Sequence, residues 1–248
     1  MEWRERDGVR WLEALLPGAR AAFTTRLGGV SEPPFASLNI GLLTGDQRQA
    51  VAENRRRTAA AIGVGAERVL IGRQVHGTEI EVRDRAPDPN GFADPGSVEP
   101  SEVDGQVTPS ADLAPLVFVA DCLPVALVGP GGIAMLHCGW RGLAGGIVDR
   151  GARQVGATAA AIGPGIGSCC YEVGEEVLNV FRPLGAGLAK GPRLDLAEVA
   201  RRSLDEAGVN EVEVAGICTS CERELFFSHR RDRGLTGRQA GIVWSDDG

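Results

Sequence analysis

Histidine is scarce in this sequence: only His76, His137 and His229 occur in 248 residues. Two of the three stand where side chains can converge. His76 lies in Gln74-Val75-His76-Gly77, between two short strand-like segments. His137 follows the apolar run 133–136 and opens His137-Cys138-Gly139-Trp140-Arg141-Gly142. Cys122 lies in Ala120-Asp121-Cys122-Leu123-Pro124, at the end of another apolar run. Each is therefore expected at the mouth of a buried strand, facing a cleft. One thiolate and two imidazoles form a borderline-soft donor set that suits zinc, with copper as the lesser alternative. Three protein ligands leave a fourth position open, as catalytic zinc sites do, whereas structural sites close all four. A water held there is acidified toward neutrality. The set predicts one zinc per chain. The same atoms also admit a reading without metal, with Cys122 as nucleophile and His137 or His76 as its base. Residue types and spacing leave both readings open.

The remaining thiols are Cys138 and two pairs. Cys169-Cys170 follows the glycine-rich stretch 163–167, and Cys218-Thr219-Ser220-Cys221 is a C-x-x-C. The pairs suggest a second zinc or a redox couple. A lone C-x-x-C outside a thioredoxin-like setting is read first as structural. The stretch 163–167 lacks the GxxxxGK[ST] form and any lysine, so it is expected to be a tight loop lining the site rather than a phosphate loop. Adjacent Cys169 and Cys170 are badly placed to bridge each other. With a reducing compartment expected, no disulfide is predicted, and six free thiols should be counted once zinc is removed.

Holding these residues together requires a framework of buried strands. Segments 21–25, 69–71, 78–83, 212–217 and 242–244 read as strands, and 157–162 reads as a strand or a helix end. The runs 116–120, 125–128 and 133–136 read as adjacent buried strands. Helices are predicted over 46–62, 143–155, 175–181 and 195–207, the first with Asp46 as N-cap and Gly63 just past its end. Residues 86–102, rich in Pro, Gly, Asp and Ser, read as a surface loop. Arg55, Arg56 and Arg57 are expected on a solvated helix face. This order of mixed elements predicts a single α+β domain over 1–248, built of packed layers. Hydrophobic residues make up 43%, enough for a sizeable core. The net charge of -7 and the lack of a basic run exclude a general nucleic-acid binder. No apolar stretch reaches the roughly 18 residues of a membrane span, and the N-terminus lacks a signal peptide's basic start and apolar middle. A cytoplasmic protein without membrane partners is expected.

Several segments recur in one order: Thr24-Thr25-Arg26-Leu27-Gly28-Gly29-Val30-Ser31, Ser37-Leu38-Asn39-Ile40-Gly41, Glu53-Asn54-Arg55, Gln74-Val75-His76-Gly77, Ala120-Asp121-Cys122-Leu123-Pro124, His137 with Gly139-Trp140-Arg141-Gly142, Gly163-Pro164, Cys169-Cys170-Tyr171-Glu172-Val173-Gly174, Cys218-Thr219, Leu225-Phe226-Phe227-Ser228, Arg230-Arg231 and Thr236-Gly237-Arg238. Together they resemble the bacterial laccase-domain, polyphenol oxidase-like family, which is associated with purine nucleoside phosphorylase activity. The resemblance implies a four-layer α/β/β/α sandwich with mixed sheets and a metal held by His76, Cys122 and His137. It also implies phosphorolysis of adenosine, inosine and methylthioadenosine to base and ribose 1-phosphate or methylthioribose 1-phosphate, with adenosine deamination. Other members are linked to peptidoglycan editing, as amidases that remove a wrong amino acid from a UDP-muramyl precursor. Small molecules, a nucleoside and phosphate, are the expected partners.

Two positions depart from the family pattern: Cys138 replaces the usual Ala, and His229 stands where an aromatic residue is common. In an extended segment His137 and Cys138 point to opposite faces, so Cys122 is the thiolate chosen for the metal. Phosphorolysis needs cationic groups, for which Arg26, Arg73 and Arg141 are candidates because guanidinium grips oxyanions bidentately. Asn39 is the candidate for ribose hydroxyls. A multicopper laccase needs a type-1 copper and a trinuclear cluster, which together consume far more than three histidines. Phenol oxidation by that mechanism is therefore disfavoured.

Overall fold

A computed structural model describes residues 1–246. The chain begins with β1 (Glu2–Arg6), β2 (Val9–Leu16) and β3 (Ala19–Thr24), which pair as an antiparallel meander. Helix α1 (Arg48–Ile62) follows. It ends where Gly63 turns left-handed at φ 78° and returns its N–H to the Ala59 carbonyl. Next come β4 (Val69–Leu70), β5 (Ile80–Val82), β6 (Gly105–Thr108), β7 (Ala114–Val119), β8 (Leu123–Gly129) and β9 (Gly132–Cys138). Helices α2 (Trp140–Ala144) and α3 (Ile147–Val155) lead to β10 (Ala159–Ile162). Helix α4 (Glu175–Phe181), the short ribbon of β11 (Ala189–Lys190) and β12 (Arg193–Leu194), helix α5 (Leu196–Glu206), β13 (Glu211–Val214) and β14 (Gln239–Ser245) complete the chain. Asp195 caps α5 by accepting the Glu198 N–H.

Two six-stranded sheets carry the fold, ordered β1-β2-β3-β14-β7-β4 and β13-β10-β8-β9-β6-β5. The second is mixed: β10, β8, β9 and β6 are antiparallel neighbours, while β13 and β5 pair in parallel at its edges. Side chains alternate across each strand, and the alternation builds the layers. Ile133 and Met135 of β9 join Ala126 of β8 and Phe23 and Val117 of the first sheet in the core between the sheets. Ala134, Leu136 and Cys138 point the other way, onto Ile147, Ala152, Val199 and Leu204 of the helices. Ala59 and Ile62 of α1, with Leu38, Ile40 and Phe92, cover the outer face of the first sheet. The α/β/β/α order expected from the resemblance is the observed one. Leu136 has no exposed surface, so its truncation to Ala would cost about 2–5 kcal/mol.

Several local expectations change. Strands β8 and β9 are neighbours, but β7 belongs to the other sheet, paired with β14 and β4. A run of apolar residues shows that a strand is buried and says nothing of its partner. The helix expected over 143–155 is two helices, because Gly146 adopts φ 83° between α2 and α3. Asp46 does not cap α1, since no side chain does. Its carboxylate instead accepts from Ser31 Oγ and Asn39 Nδ2. Arg55 is only 3% exposed, with its guanidinium donating to the Ile40 and Gly91 carbonyls. Arg56 and Arg57 do lie outward and share Glu53. No described helix is long and apolar enough to cross a membrane.

Candidate metal centre

Sheet register brings the candidate site together. The chain leaves the first sheet at Val119 and enters the second at Leu123, so Ala120-Asp121-Cys122 is the crossing between sheets. Leu123 pairs with Cys138 and Pro124 with His137, which sets Cys122 beside the end of β9. On the other flank Gly105 pairs with Leu136, and the His137 N–H donates to the Asp104 carbonyl at 2.7 Å. Three adjacent strand ends thus place Cys122, His137 and Asp104 side by side. His76 arrives differently. It sits on a turn before β5, with φ 60°, rather than at a strand mouth.

Asp104 ties the His137 ring to the turn that carries His76. It has no exposed surface, and its carboxylate accepts the N–H groups of Val75, His76 and Gly77 at 2.7–3.1 Å. The same carboxylate lies 2.7 Å from His137 Nδ1, leaving Nε2 to face the sulfur. This carboxylate–histidine pairing fixes ring orientation at metal sites. Burial works against ionisation of Asp104, but the hydrogen bonds from His137 and the backbone hold the carboxyl below its usual range. Gln74 ties the turn to the first sheet by exchanging two hydrogen bonds with the Phe118 backbone, at 2.7 and 2.8 Å.

The ligand atoms of His76, Cys122 and His137 all lie within 4.8 Å of one another. The imidazole ring centroids are 4.9 Å apart. A Cβ at Gly139 would come 3.0 Å from Cys122 Sγ and 3.3 Å from His76 Cδ2, so the absence of a side chain there keeps the group open. Burial pushes the Cys122 thiol up, yet the two imidazoles outweigh it and bring the thiol down to about 6. His137 is pushed down by burial and up by the Cys122 thiolate and Asp104, ending at about 9. The sulfur is therefore poised as a thiolate at neutral pH, the form that binds metal. Cys138 faces the helix core, and its burial raises the thiol well above the ordinary range. The set fits a metal ion.

The group opens on a cleft of about 700 Å³ lined by residues from both sheets, including Arg55, Phe118, Trp140, Arg141, Tyr171, His229, Arg230 and Arg238. Asp121, at φ 91°, shapes this wall by accepting from Thr219 Oγ1 at 2.7 Å and the Arg230 N–H at 2.6 Å. Of the candidate substrate residues, Arg73 and Arg141 line the cleft. Arg73 is engaged by Glu99 and Glu102 at 3.0 and 3.3 Å. Arg141 lies 4.4 Å from the Trp140 ring centre and has no carboxylate partner among the described residues.

Arg26 lies elsewhere, in a separate depression with Arg223 and Arg231, donating to the Ala36 carbonyl. Asn39 has no exposed surface, and its amide is spent on Gly41, Thr44, Asp46 and the Arg238 N–H. It pins a loop and does not face the cleft. Sequence reasoning overlooked Asp104, Asp121, Arg55 and Gly139. Asp121, Arg55 and Gly139 stand in the segments that carry the family resemblance, and helical spacing gave a further signal for Arg55: Val51, Arg55, Thr58 and Ile62 share one helix face.

A two-sheet α+β sandwich with a His–Cys–His group at the crossing between its sheets defines a laccase-domain protein. The profile of the family described as multi-copper polyphenol oxidoreductase laccase matches residues 20–246, and the chain belongs to that family. Among its relatives is purine nucleoside phosphorylase YlmD of Geobacillus stearothermophilus, 40% identical over 96% of both chains. A purine nucleoside phosphorylase of Deinococcus radiodurans is 42% identical over 90% of this chain and 87% of its own. The crystal structure of the Geobacillus YlmD superposes with a TM-score of 0.88 at 39% identity, covering 98% of this chain and 97% of that one. The Bacillus licheniformis hypothetical protein YfiH superposes at 0.87 with 34% identity, covering 98% and 99%.

Proposed function

We propose that this chain is a cytoplasmic, zinc-dependent purine nucleoside phosphorylase that cleaves adenosine, inosine and methylthioadenosine and also deaminates adenosine. His76, Cys122 and His137 hold the ion. The observation that carries the reading is the charge of the cleft. In a chain of net charge -7, Arg55, Arg141, Arg230 and Arg238 all line the space beside the His–Cys–His group, and none has a carboxylate partner among the described residues. Guanidinium groups whose charge no carboxylate neutralises, in a part-buried cleft, suit an oxyanion cosubstrate. Relatives covering nearly the whole chain carry the phosphorylase name.

In phosphorolysis a phosphate oxygen bonds to C1′ of the ribose while the bond from C1′ to the base breaks and its electron pair leaves with the base. Arg141 and Arg238 hold the phosphate against C1′ and offset its charge. Trp140 and Phe118 offer aromatic faces to the purine. Tyr171 donates a hydrogen bond to the departing base: burial, reinforced by the nearby Cys122 thiolate, raises its hydroxyl to about 12, so it stays protonated. Asp104 keeps His137 and the 75–77 turn in place throughout. The ion, when bound, supplies Lewis-acid stabilisation of developing negative charge. With only three histidines in the chain, multicopper phenol oxidation is not supported. The test is a product-resolved assay of the zinc-loaded protein with adenosine, with and without phosphate. Adenine and ribose 1-phosphate are expected with phosphate, and slow formation of inosine without it. Neither product, together with amino-acid release from a UDP-muramyl precursor, would replace this reading with the cell-wall amidase.

A further inference from the structure

Cys169, Cys170, Cys218 and Cys221 come from two turns far apart in sequence, yet their four sulfurs all lie within 4.8 Å of one another. Cys221 Sγ is 3.4 Å from Cys169 Sγ and 3.5 Å from Cys170 Sγ. A tetrahedral ion with metal–sulfur bonds of about 2.3 Å sets its sulfurs about 3.8 Å apart, so small side-chain adjustments suffice.

The backbone is shaped around the sulfurs. Cys218 bridges in parallel to Gly165, and the Cys170 and Tyr171 N–H groups fold back onto the Gly167 carbonyl at 2.9 and 3.0 Å, presenting adjacent cysteines on one turn. The Gly167 N–H points at Cys218 Sγ, 3.2 Å away. A Cβ on Gly167 would lie 3.1 Å from Cys218 Cβ and 3.3 Å from Cys169 Sγ, so glycine is the residue that lets the turns approach. The second turn closes as the Glu222 N–H meets the Cys218 carbonyl at 3.0 Å. Arg231 donates to the Thr219 and Ser220 carbonyls and braces it from outside.

We propose that these four cysteines form a second metal site, a closed four-thiolate centre for one structural zinc ion. Four thiolates fill every position of a tetrahedral ion, so this centre holds structure and performs no chemistry. Its place in the fold gives it a task. Thr219, inside the C-x-x-C, donates to Asp121 at 2.7 Å, next to Cys122, and Tyr171 follows Cys170 directly into the cleft wall. The second ion clamps the two turns that shape the cleft from one side. Ligation expels the thiol protons and leaves the ion's two positive charges against four thiolates.

The full chain, purified under mild reductant without added metal, is expected to hold two zinc ions by elemental analysis. Cys122→Ala keeps one, Cys218→Ser/Cys221→Ser keeps one, and the combined variant keeps none. The Cys218→Ser/Cys221→Ser protein should melt several degrees below the parent. Should it fail to fold, cobalt substitution of Cys122→Ala decides instead, since an intense sulfur-to-cobalt charge-transfer band is expected to remain. One zinc in the parent and none in Cys122→Ala overturns the proposal, as does a Cys169–Cys221 disulfide recovered under mild reductant. One zinc in both proteins leaves this centre standing and removes the ion from His76, Cys122 and His137.

Discussion

Cys122 sits where two sheets exchange the chain, with an imidazole on either side and a cleft in front. Cys218 and its three companions sit on two turns outside the lining of that cleft, with no imidazole among them. Strand register assembles the first group: β8, β9 and β6 end together and deliver Cys122, His137 and Asp104. Backbone turns assemble the second, with glycine where a Cβ would intrude. Ligand orientation follows the same division. A buried carboxylate orients the His137 imidazole and anchors the backbone of the His76 turn, whereas a backbone amide points at the Cys218 sulfur. Three donors facing a space allow exchange of a reactant, and four donors facing each other do not. Cysteine count alone therefore says little about role. What matters is whether the donor set is complete and what it faces.

The largest effect is expected at the open group. Cys122→Ala or His137→Ala should reduce turnover to background and remove one zinc, with the far-ultraviolet circular dichroism spectrum unchanged. Loss of fold in step with activity would make the first group structural as well and erase the contrast. Asp104→Asn comes next. It keeps the shape but weakens the carboxylate–histidine pair, so zinc affinity or turnover should fall about 10–100-fold. Competition with a chromogenic chelator measures this, and an unchanged affinity would remove Asp104 from its positioning role. The zinc of the four-thiolate centre should be untouched in this variant.

Arg141→Met should raise the KM for phosphate about tenfold or more, the value of a charge-assisted hydrogen bond of about 1.5–3 kcal/mol, and leave deamination nearly unchanged. Arg73→Met should do less, because Glu99 and Glu102 already occupy its guanidinium. Equal loss of both reactions in Arg141→Met would assign it to folding or metal retention.

The smallest effect lies away from both clusters. Arg201 and Arg202 hold Glu198 down at about 2, below its unfolded value of about 4.3. A depressed carboxyl stabilises the fold above its unfolded value and stops doing so as pH falls through its folded one. Solvent screening limits the gain to under about 1 kcal/mol. Glu198→Gln should lower the melting temperature by at most about 2–4 °C near neutral pH, with the gap narrowing below about pH 4. Neither zinc count should change.

The candidate donors could be picked out from the chain because histidine is rare there. Three histidines in 248 residues draw attention, and a cysteine at the end of an apolar run completes a metal-ligand set. The layer order came from the family resemblance, whereas alternation along β9 foretold only that His137 and Cys138 face opposite ways. Asp104 was not readable, because one aspartate before a strand looks like any solvated loop acid until three N–H groups and an imidazole are found around it. Asn39 looked polar enough for a ligand but turned inward to satisfy a buried loop. Arg55 looked like part of a surface run, although helical spacing from Val51 already set it on the buried face.

Residue chemistry, then, was written in the sequence: which groups can bind a metal, which segments must be buried, and how few histidines there are. Pairing was decided by the tertiary structure. Which strand lies beside which depends on backbone hydrogen bonds between segments remote in the chain, and such bonds leave no local trace in residue type. That pairing set Asp104 next to His137 and sent β7 to the other sheet so that Cys122 fell at the crossing, while turn hydrogen bonds brought two distant cysteine turns onto one point.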